Sequence, residues 1–226
     1  MPVPSIWKYF LSFLYDVLLE KSSSEYNPVL EVFLSRGRIK LVSKGAIYSY
    51  GDLYDNFKQV FEYIDIENRT PHHILVLGLG TGSILYMLEK HFSIQAEFTA
   101  VEIDPEIIRL FNFYTRTKLQ SKITLVQMDG WKFIEENQAH YDLICMDIFD
   151  DQEIPDVFLK KEYLMMIRSA LQKNGLLIFN HLAESKSEIN SKHIFYETIF
   201  KKTFIESDVL KLKNNWMMIG YNPEIN

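Results

Sequence analysis

The chain has 226 residues, of which 47% are hydrophobic, enough for one substantial domain or one domain with a small appendage. Its formal net charge of -6 argues against a broad nucleic-acid-binding surface. The single cysteine, Cys145, lies in an apolar run and can form no disulfide within the chain. We therefore expect a cytoplasmic protein without a nucleic-acid partner.

Near the start of the chain, apolar side chains recur at helical spacing: Trp7, Phe10, Leu11, Leu14 and Leu18. This pattern predicts an amphipathic helix over residues 6–19. The segment is too short to span a membrane, and its polar face is not basic enough for a membrane surface. We expect the apolar face to pack on the domain or on a second copy of the chain in a homodimer.

Three short strand-like runs follow, at residues 29–34, 38–42 and 46–50, separated by turns that contain Gly37 and Gly45. They predict a small antiparallel β-element. A helix is expected over residues 52–66, and the breaker at residues 68–71 marks a domain boundary. The predicted domains are therefore residues 1–70 and residues 71–226.

From His72 onward, predicted strands and helices alternate. The strands lie at residues 74–77, 96–101, 123–127, 141–146 and 175–180. The helices lie at residues 82–91, 105–115, 131–137, 158–171 and 187–200. This rhythm predicts a parallel sheet covered by helices, and the runs 204–212 and 216–221 predict a terminal hairpin. The fold class is α/β, a Rossmann-like, mostly parallel seven-stranded sheet with an antiparallel C-terminal hairpin, resembling the class I methyltransferase fold.

A glycine-rich loop follows the first predicted strand of this sheet. Gly78, Gly80 and Gly82 stand between the apolar strand and a helical pattern, which is typical of a nucleotide-binding corner. The nicotinamide fingerprint would place its third glycine where Ser83 stands. The G-x-G-x-G order therefore favours S-adenosylmethionine over NAD.

Acidic residues follow the next three strands, at Glu102, Asp129 and Asp147. Ligands of open α/β sheets bind beyond the carboxyl ends of the strands, so these side chains are expected to meet there. The carboxylate of Glu102 can accept hydrogen bonds from the ribose hydroxyls, and that of Asp129 can accept one from an adenine amino group. Asp104 also suits the N-cap position of the helix that follows it. The predicted cofactor-binding residues are Gly78, Gly80, Thr81, Gly82, Glu102, Asp104, Asp129 and Gly130.

Four stretches carry a resemblance to a known family: residues 76–83, 101–108, 129–130 and 141–163, the last beginning Tyr-Asp-Leu-Ile-Cys-Met-Asp-Ile-Phe-Asp. Together they resemble the spermidine synthase superfamily, over about residues 36–182. The block from Asp147 to Pro155 is its most specific part.

The resemblance implies transfer of an aminopropyl group from decarboxylated S-adenosylmethionine to a small amine, such as a polyamine, without a metal. Asp147 matches the family's catalytic aspartate, which would accept the amine's proton. Asp150 matches a second acid near the substrate amines, and Tyr54 is a weaker match to a pocket tyrosine. Asp150, Asp151 and Glu153 would form an acidic loop that attracts a polycation, or a solvated turn.

One position departs from the family. Thr81 stands where aminopropyltransferases carry an aspartate that holds the donor's ammonium group, and a neutral side chain there would suit ordinary S-adenosylmethionine better. The sequence therefore leaves methyl transfer to a small molecule as an alternative, and beside it a non-catalytic nucleotide-binding member of the fold. It does not name the acceptor.

Overall fold

The computed structural model describes residues 5–150 and 153–223, which form two sheets. The first sheet is antiparallel throughout and has the order β1-β2-β3-β4. Its strands are β1 (Val17–Ser22), β2 (Leu30–Ser35), β3 (Arg38–Ser43) and β4 (Ala46–Ser49). The three predicted strands of the N-terminal β-element are confirmed, and β1 is an additional strand.

The predicted helix over residues 6–19 is wrong in its second half. Helix α1 covers only Ile6–Leu11, and Val17 to Ser22 pair with β2 instead. The helix stops at Ser12, whose hydroxyl donates to the Tyr9 carbonyl (2.6 Å) and accepts from the Gly37 amide (3.0 Å). Residues 17–22 pair with β2 although their apolar side chains have helical spacing. In a short apolar run, periodicity alone does not distinguish a helix from a strand.

The second sheet has seven strands in the order β10-β11-β9-β8-β5-β6-β7. They are β5 (His73–Leu77), β6 (Glu97–Glu102), β7 (Ile123–Gln127), β8 (Tyr141–Met146), β9 (Leu171–Leu182), β10 (Ser207–Lys211) and β11 (Asn215–Asn222). Strands β5 to β9 pair in parallel, whereas β11 is antiparallel to both β9 and β10. The predicted Rossmann-like sheet with its terminal hairpin is confirmed.

Helices cover both faces of this sheet. They are α2 (Asp55–Tyr63), α3 (Ile66–Arg69), α4 (Ser83–Tyr86), α5 (Pro105–Tyr114), α6 (Gly130–Glu136), α7 (Lys161–Ser169), α8 (Lys186–Phe195) and α9 (Lys201–Thr203). Single π-helical turns extend α4 through His91 and α8 through Phe200. The helix expected over residues 52–66 is broken, because Tyr54 and Asp65 leave helical geometry.

Packing of the small sheet on helix α5 sets the position of the site. Leu30, Val32 and Leu41 of the first sheet are fully buried against a group that includes Ile107 and Leu110 of α5. Removing apolar surface from water contributes about 25 cal/mol per Å², so this buried contact holds the small sheet against α5. The small sheet therefore lies beside the carboxyl end of β6, the strand that leads into α5. Within the described residues, no helix combines the length and the apolar character needed to cross a membrane.

Candidate active site

A cleft of about 980 Å³ lies at the carboxyl ends of the parallel strands. Its walls come from the loop before β2, the segment from β4 to α2, the glycine loop, the ends of β6, β7, β8 and β9, and the turn before β11. Both sheets therefore contribute to one site. This is the place at which open α/β sheets bind ligands.

Gly78 is fixed by the approach of a neighbouring strand end. Its φ is +89°, and an added Cβ would lie 2.2 Å from the backbone oxygen of Asp147. The Asp147 amide in turn donates to the Leu77 carbonyl at 2.8 Å. Glycine at position 78 thus lets the loop pass directly beside the predicted catalytic aspartate.

The other loop residues divide between the cleft and the interior. Gly80 lines the cleft together with Gly78. Gly82 instead packs against α5, since an added Cβ would lie 2.5 Å from the Phe111 ring. Thr81 is 2% exposed and donates to Ser49 Oγ at 2.8 Å, so it ties the loop to the small sheet and is not part of the cleft wall.

Glu102 and Asp129 lie on the side of the cleft opposite β9. Glu102 accepts the backbone N–H groups of Leu79 (3.1 Å) and Asp104 (3.0 Å), and its burial raises the pKa of its carboxyl. Asp129 caps α6, because its Oδ1 accepts the backbone N–H groups of Trp131 and Lys132, both at 3.0 Å. Both acids line the cleft beside Gly130.

Asp104 takes the N-cap position that the sequence also allows, and it does not line the cleft as a cofactor-binding residue would. It is fully buried and caps α5 through the Glu106 amide at 2.8 Å. It also accepts from the Ser24 hydroxyl (2.5 Å) and the Asn27 amide (2.7 Å). Asp104 therefore does not line the cleft itself but holds the loop that does, through Glu25, Tyr26 and Asn27.

Asp147 stands at the end of β8, on the floor of the cleft. Its Oδ1 accepts from Asn180 Nδ2 at 2.8 Å, and the Tyr54 side chain hydrogen-bonds to it as well. Burial raises the pKa of Asp147 to about 6, although both hydrogen bonds oppose that rise. Burial and the nearby carboxylate raise the pKa of Tyr54 well above its usual value. The structure thus brings the two predicted catalytic residues Asp147 and Tyr54 together.

The third predicted catalytic residue, Asp150, also lines the cleft and is exposed. Its backbone pairs with that of Glu153 through bonds of 2.8 and 3.0 Å, while Asp151 lies outside the described residues. Seven acidic residues line the described cleft: Glu25, Asp55, Glu102, Asp129, Asp147, Asp150 and Glu184. Only Lys213 among the described lining residues is a lysine or arginine, so the field of the cleft attracts cations.

Sequence reasoning missed two amides of the site. Asn180 lies near the carboxyl end of β9, so the rule that identifies Asp147 also points to it. Asn215 comes from an antiparallel strand, to which that rule does not apply. Across the two described segments, no three histidine, cysteine, aspartate or glutamate side chains are grouped as they would be around a metal ion.

The sequence of the chain matches the family model of the spermine/spermidine synthase domain over residues 62–214, which is more than half of its length. The chain belongs to this family. It is 27% identical to a polyamine aminopropyltransferase of Sulfolobus acidocaldarius over 80% of this chain and 62% of that protein. It is 28% identical to a spermine synthase of Saccharomyces cerevisiae over 72% of this chain and 58% of the yeast protein. The chain thus spans about three fifths of the length of these relatives.

The fold is also that of solved structures in the family. A spermidine synthase crystallised with the transition-state analogue AdoDATO superimposes with a TM-score of 0.71. The match covers 91% of this chain and 74% of the other, at 14% sequence identity. At that identity the likeness concerns the fold alone.

Proposed function

We propose that this protein transfers an aminopropyl group from decarboxylated S-adenosylmethionine to a small amine of the polyamine type. The observation that carries the proposal is the charge of the cleft, whose described lining holds seven acidic side chains and a single lysine. Both substrates are cations, the donor through its sulfonium and ammonium groups and the acceptor through its ammonium groups. Membership of the family supports the same conclusion.

The donor would lie on the side of Glu102 and Asp129. Glu102 would accept hydrogen bonds from the ribose hydroxyls, and Asp129 from the adenine amino group, beside Gly130. Gly78 and Gly80 would let the backbone approach the sulfonium end closely. Thr81 and Asp104 would act through the elements that they hold, since neither lines the cleft.

The acceptor would lie on the side of Asp147, Asp150 and Tyr54. Its nitrogen attacks the carbon beside the sulfonium, the C–N bond forms as the C–S bond breaks, and the sulfur keeps the electron pair in methylthioadenosine. Asp147 accepts the proton that the nitrogen releases. A pKa of about 6 suits this step, because the carboxyl is then ionised at neutral pH yet basic enough to take the proton.

Product analysis by mass spectrometry tests the reaction. The protein is incubated with each donor, ordinary or decarboxylated S-adenosylmethionine, and with a panel of diamines and triamines. We expect methylthioadenosine, and only with the decarboxylated donor. S-adenosylhomocysteine formed from the ordinary donor would replace the proposal by methyl transfer, and the absence of any product with either donor would favour a non-catalytic nucleotide-binding protein.

Donor binding tests the assigned ribose contact. We expect Glu102→Ala to weaken donor affinity by roughly 10- to 150-fold, because a hydrogen bond to a charged group is worth about 1.5–3 kcal/mol. Titration calorimetry measures the change. Glu97→Ala is the matched control, because Glu97 begins the same strand that Glu102 ends and its exposed carboxylate pairs with surface Lys122. Equal affinities in the two variants would contradict the assignment.

A further inference from the structure

Three side chains on neighbouring strands form a line of hydrogen bonds that ends at the floor of the cleft. Asn215 Nδ2 on β11 donates to Asn180 Oδ1 on β9 at 2.8 Å. Asn180 Nδ2 then donates to Asp147 Oδ1, beyond the end of β8, also at 2.8 Å. All three residues line the cleft, and Asn180 is only 1% exposed, so bulk water cannot replace its partners.

The orientation of the Asn180 side-chain amide determines whether the Asp147 carboxylate faces a hydrogen-bond donor or an acceptor. A carboxamide has a donating end and an accepting end. With its nitrogen towards Asp147, Asn180 stabilises the carboxylate, whereas with its oxygen there two acceptors would face each other. The donation from Asn215 to the oxygen of Asn180 selects the first direction.

The terminal hairpin fixes where Asn215 stands. Asn215 is the first residue of β11 and pairs with Leu182 of β9. The turn before it is closed by the Leu212 amide, which donates to the Asn215 carbonyl at 2.7 Å. The neighbouring Asn214 side chain donates to Glu184 Oε1 at 3.1 Å. The register of the hairpin therefore sets the position of Asn215, which is linked to Asp147, the predicted base, through two hydrogen bonds.

We propose that Asn215 is a positioning residue for Asp147, acting through the amide of Asn180 that it orients. The kinetic part of this inference rests on the proposed function, but the part that concerns the ionisation of Asp147 does not. Loss of Asn215 frees Asn180 to turn, and the carboxylate of Asp147 then loses part of its stabilisation. The carboxyl consequently holds its proton to a higher pH.

Two other titratable groups, Tyr54 and Cys145, lie next to Asp147 and do not change charge in the relevant range. Tyr54 contacts it from the segment before α2, and Cys145 lies two residues earlier on β8. Burial raises the pKa of both groups well above their usual values, so both stay neutral near pH 6–8. The remaining acids of the cleft and Lys213 are common to every variant compared below.

The experiment measures the titration of Asp147 directly in the ligand-free protein. Aspartate labelled with ¹³C at the carboxyl is followed by NMR against pH, and Asp147→Asn identifies the resonance. We expect Asn180→Ala to raise the titration midpoint by about one pH unit or more, as loss of a hydrogen bond to a charged group implies. Asn215→Ala should raise it in the same direction and by less.

Asn222→Ala is the control for weakening of the hairpin. Asn222 ends the same strand, and its amide donates to the Leu171 and Gln172 carbonyls, outside the cleft. We expect its Asp147 midpoint to match the unmodified protein. An unshifted midpoint in Asn215→Ala, or a shift no larger than that of Asn222→Ala, would overturn the proposal.

Kinetics separate this inference from the proposed function. In an active aminopropyltransferase, the acid limb of kcat/KM should move to higher pH by the amount that NMR shows for each variant. If no turnover is found while the NMR midpoints shift, the positioning role stands and the proposed function fails. If turnover is found but Asn215→Ala leaves both the midpoint and the acid limb in place, the proposed function stands and the positioning role fails.

Discussion

The raised pKa of the Asp147 carboxyl has a cost in stability. Its pKa is about 6 in the folded protein, above the ordinary value of 3.8, so the folded state holds the proton more tightly than the unfolded chain. The sign follows from linkage: the resulting stabilisation is complete below about pH 3.8 and is lost as the pH rises through 6. At neutral pH the buried charge therefore destabilises the fold.

The variant Asp147→Asn should be inactive and more stable at high pH. We expect a gain of about 1–3 kcal/mol at pH 8, or several degrees in Tm, and a clearly smaller gain at pH 5. Thermal melts at the two pH values measure the difference. Asp142→Asn is the control, because Asp142 follows the first residue of the same strand and accepts the backbone amides of His72 and His73. It should give no such gain, and a pH-independent gain in Asp147→Asn would contradict the linkage.

His181 acts on stability in the opposite direction. Its ring is fully buried, with centroid distances of 4.1 Å to Phe179 and 5.3 Å to Phe195. Neither ring nitrogen has a hydrogen-bond partner among the residues that the structure describes. Burial, assisted by the charge of Lys192, lowers the pKa of His181 well below its usual value. The stability that a neutral His181 provides is therefore present above about pH 6.5 and lost as the pH falls below it.

We expect His181→Leu to make the fold less sensitive to acid. Between pH 7.5 and 5.5, the free energy of unfolding of the variant should rise relative to the unmodified protein by about 1 kcal/mol, since one proton contributes at most about 1.4 kcal/mol per pH unit. Urea midpoints at both pH values provide the measurement. His140→Leu, at an exposed histidine, is the control. Parallel pH profiles for His181→Leu and the unmodified protein would refute the expectation.

At the scale of elements, the glycine loop and the end of β8 form one unit. Gly78→Ala should cost about 2–3 kcal/mol or more and reduce donor affinity, because it adds a clash with the Asp147 carbonyl to an unfavourable φ. Chemical denaturation measures the loss. Gly45→Ala separates the two causes, since Gly45 has nearly the same φ of +88° but nothing within 4 Å of an added Cβ. Equal losses in the two variants would mean that the close approach to Asp147 is unimportant.

The sequence predicts the elements of the large sheet well, and the failures have local causes. Runs such as 74–77 and 141–146 form buried strands in a regular alternation of strands and helices, so their apolar composition and their place in the order agree. The segment 17–22 is ambiguous, because its apolar residues fit helical spacing as well as an edge strand. Only the presence of β2 as a partner decides the outcome.

Dependence on neighbouring elements also limits what the sequence predicts about the candidate site. Residues at strand ends, such as Glu102 and Asp147, follow from topology and reach the cleft as expected. Side-chain direction within a loop does not follow from topology. Thr81 turns to Ser49 rather than to the cleft, and Asp104 turns to the loop before β2. The direction of these two side chains depends on neighbours in the small sheet and its loop, which the periodicity of the sequence does not reveal. Their predicted contacts with the donor therefore could not be judged from the sequence.

At the scale of the whole molecule, the surface around α1 remains unpaired within the described chain. Large apolar side chains there are strongly exposed: Ile6 (69%), Trp7 (75%), Phe10 (62%), Phe13 (56%) and Leu14 (81%). Lys8 is the only charged residue between positions 5 and 15. The expectation that this helix packs on the body of the domain is therefore not met at these side chains. The alternative, a homodimer, stays a prediction, because contiguous apolar patches of this kind mark protein–protein contacts.

We expect the unmodified protein to have twice the mass of the chain in solution, and the double variant Trp7→Glu, Phe10→Glu to have the mass of a single chain. Two buried carboxylates without partners would cost more than the apolar contact contributes. Light scattering coupled to gel filtration measures the mass at several concentrations. Ile205→Glu is the matched control, because Ile205 is 80% exposed yet lies between α9 and β10, away from this patch in the sequence. A monomeric unmodified protein, or a double variant that remains a dimer, would exclude this surface as the dimer contact.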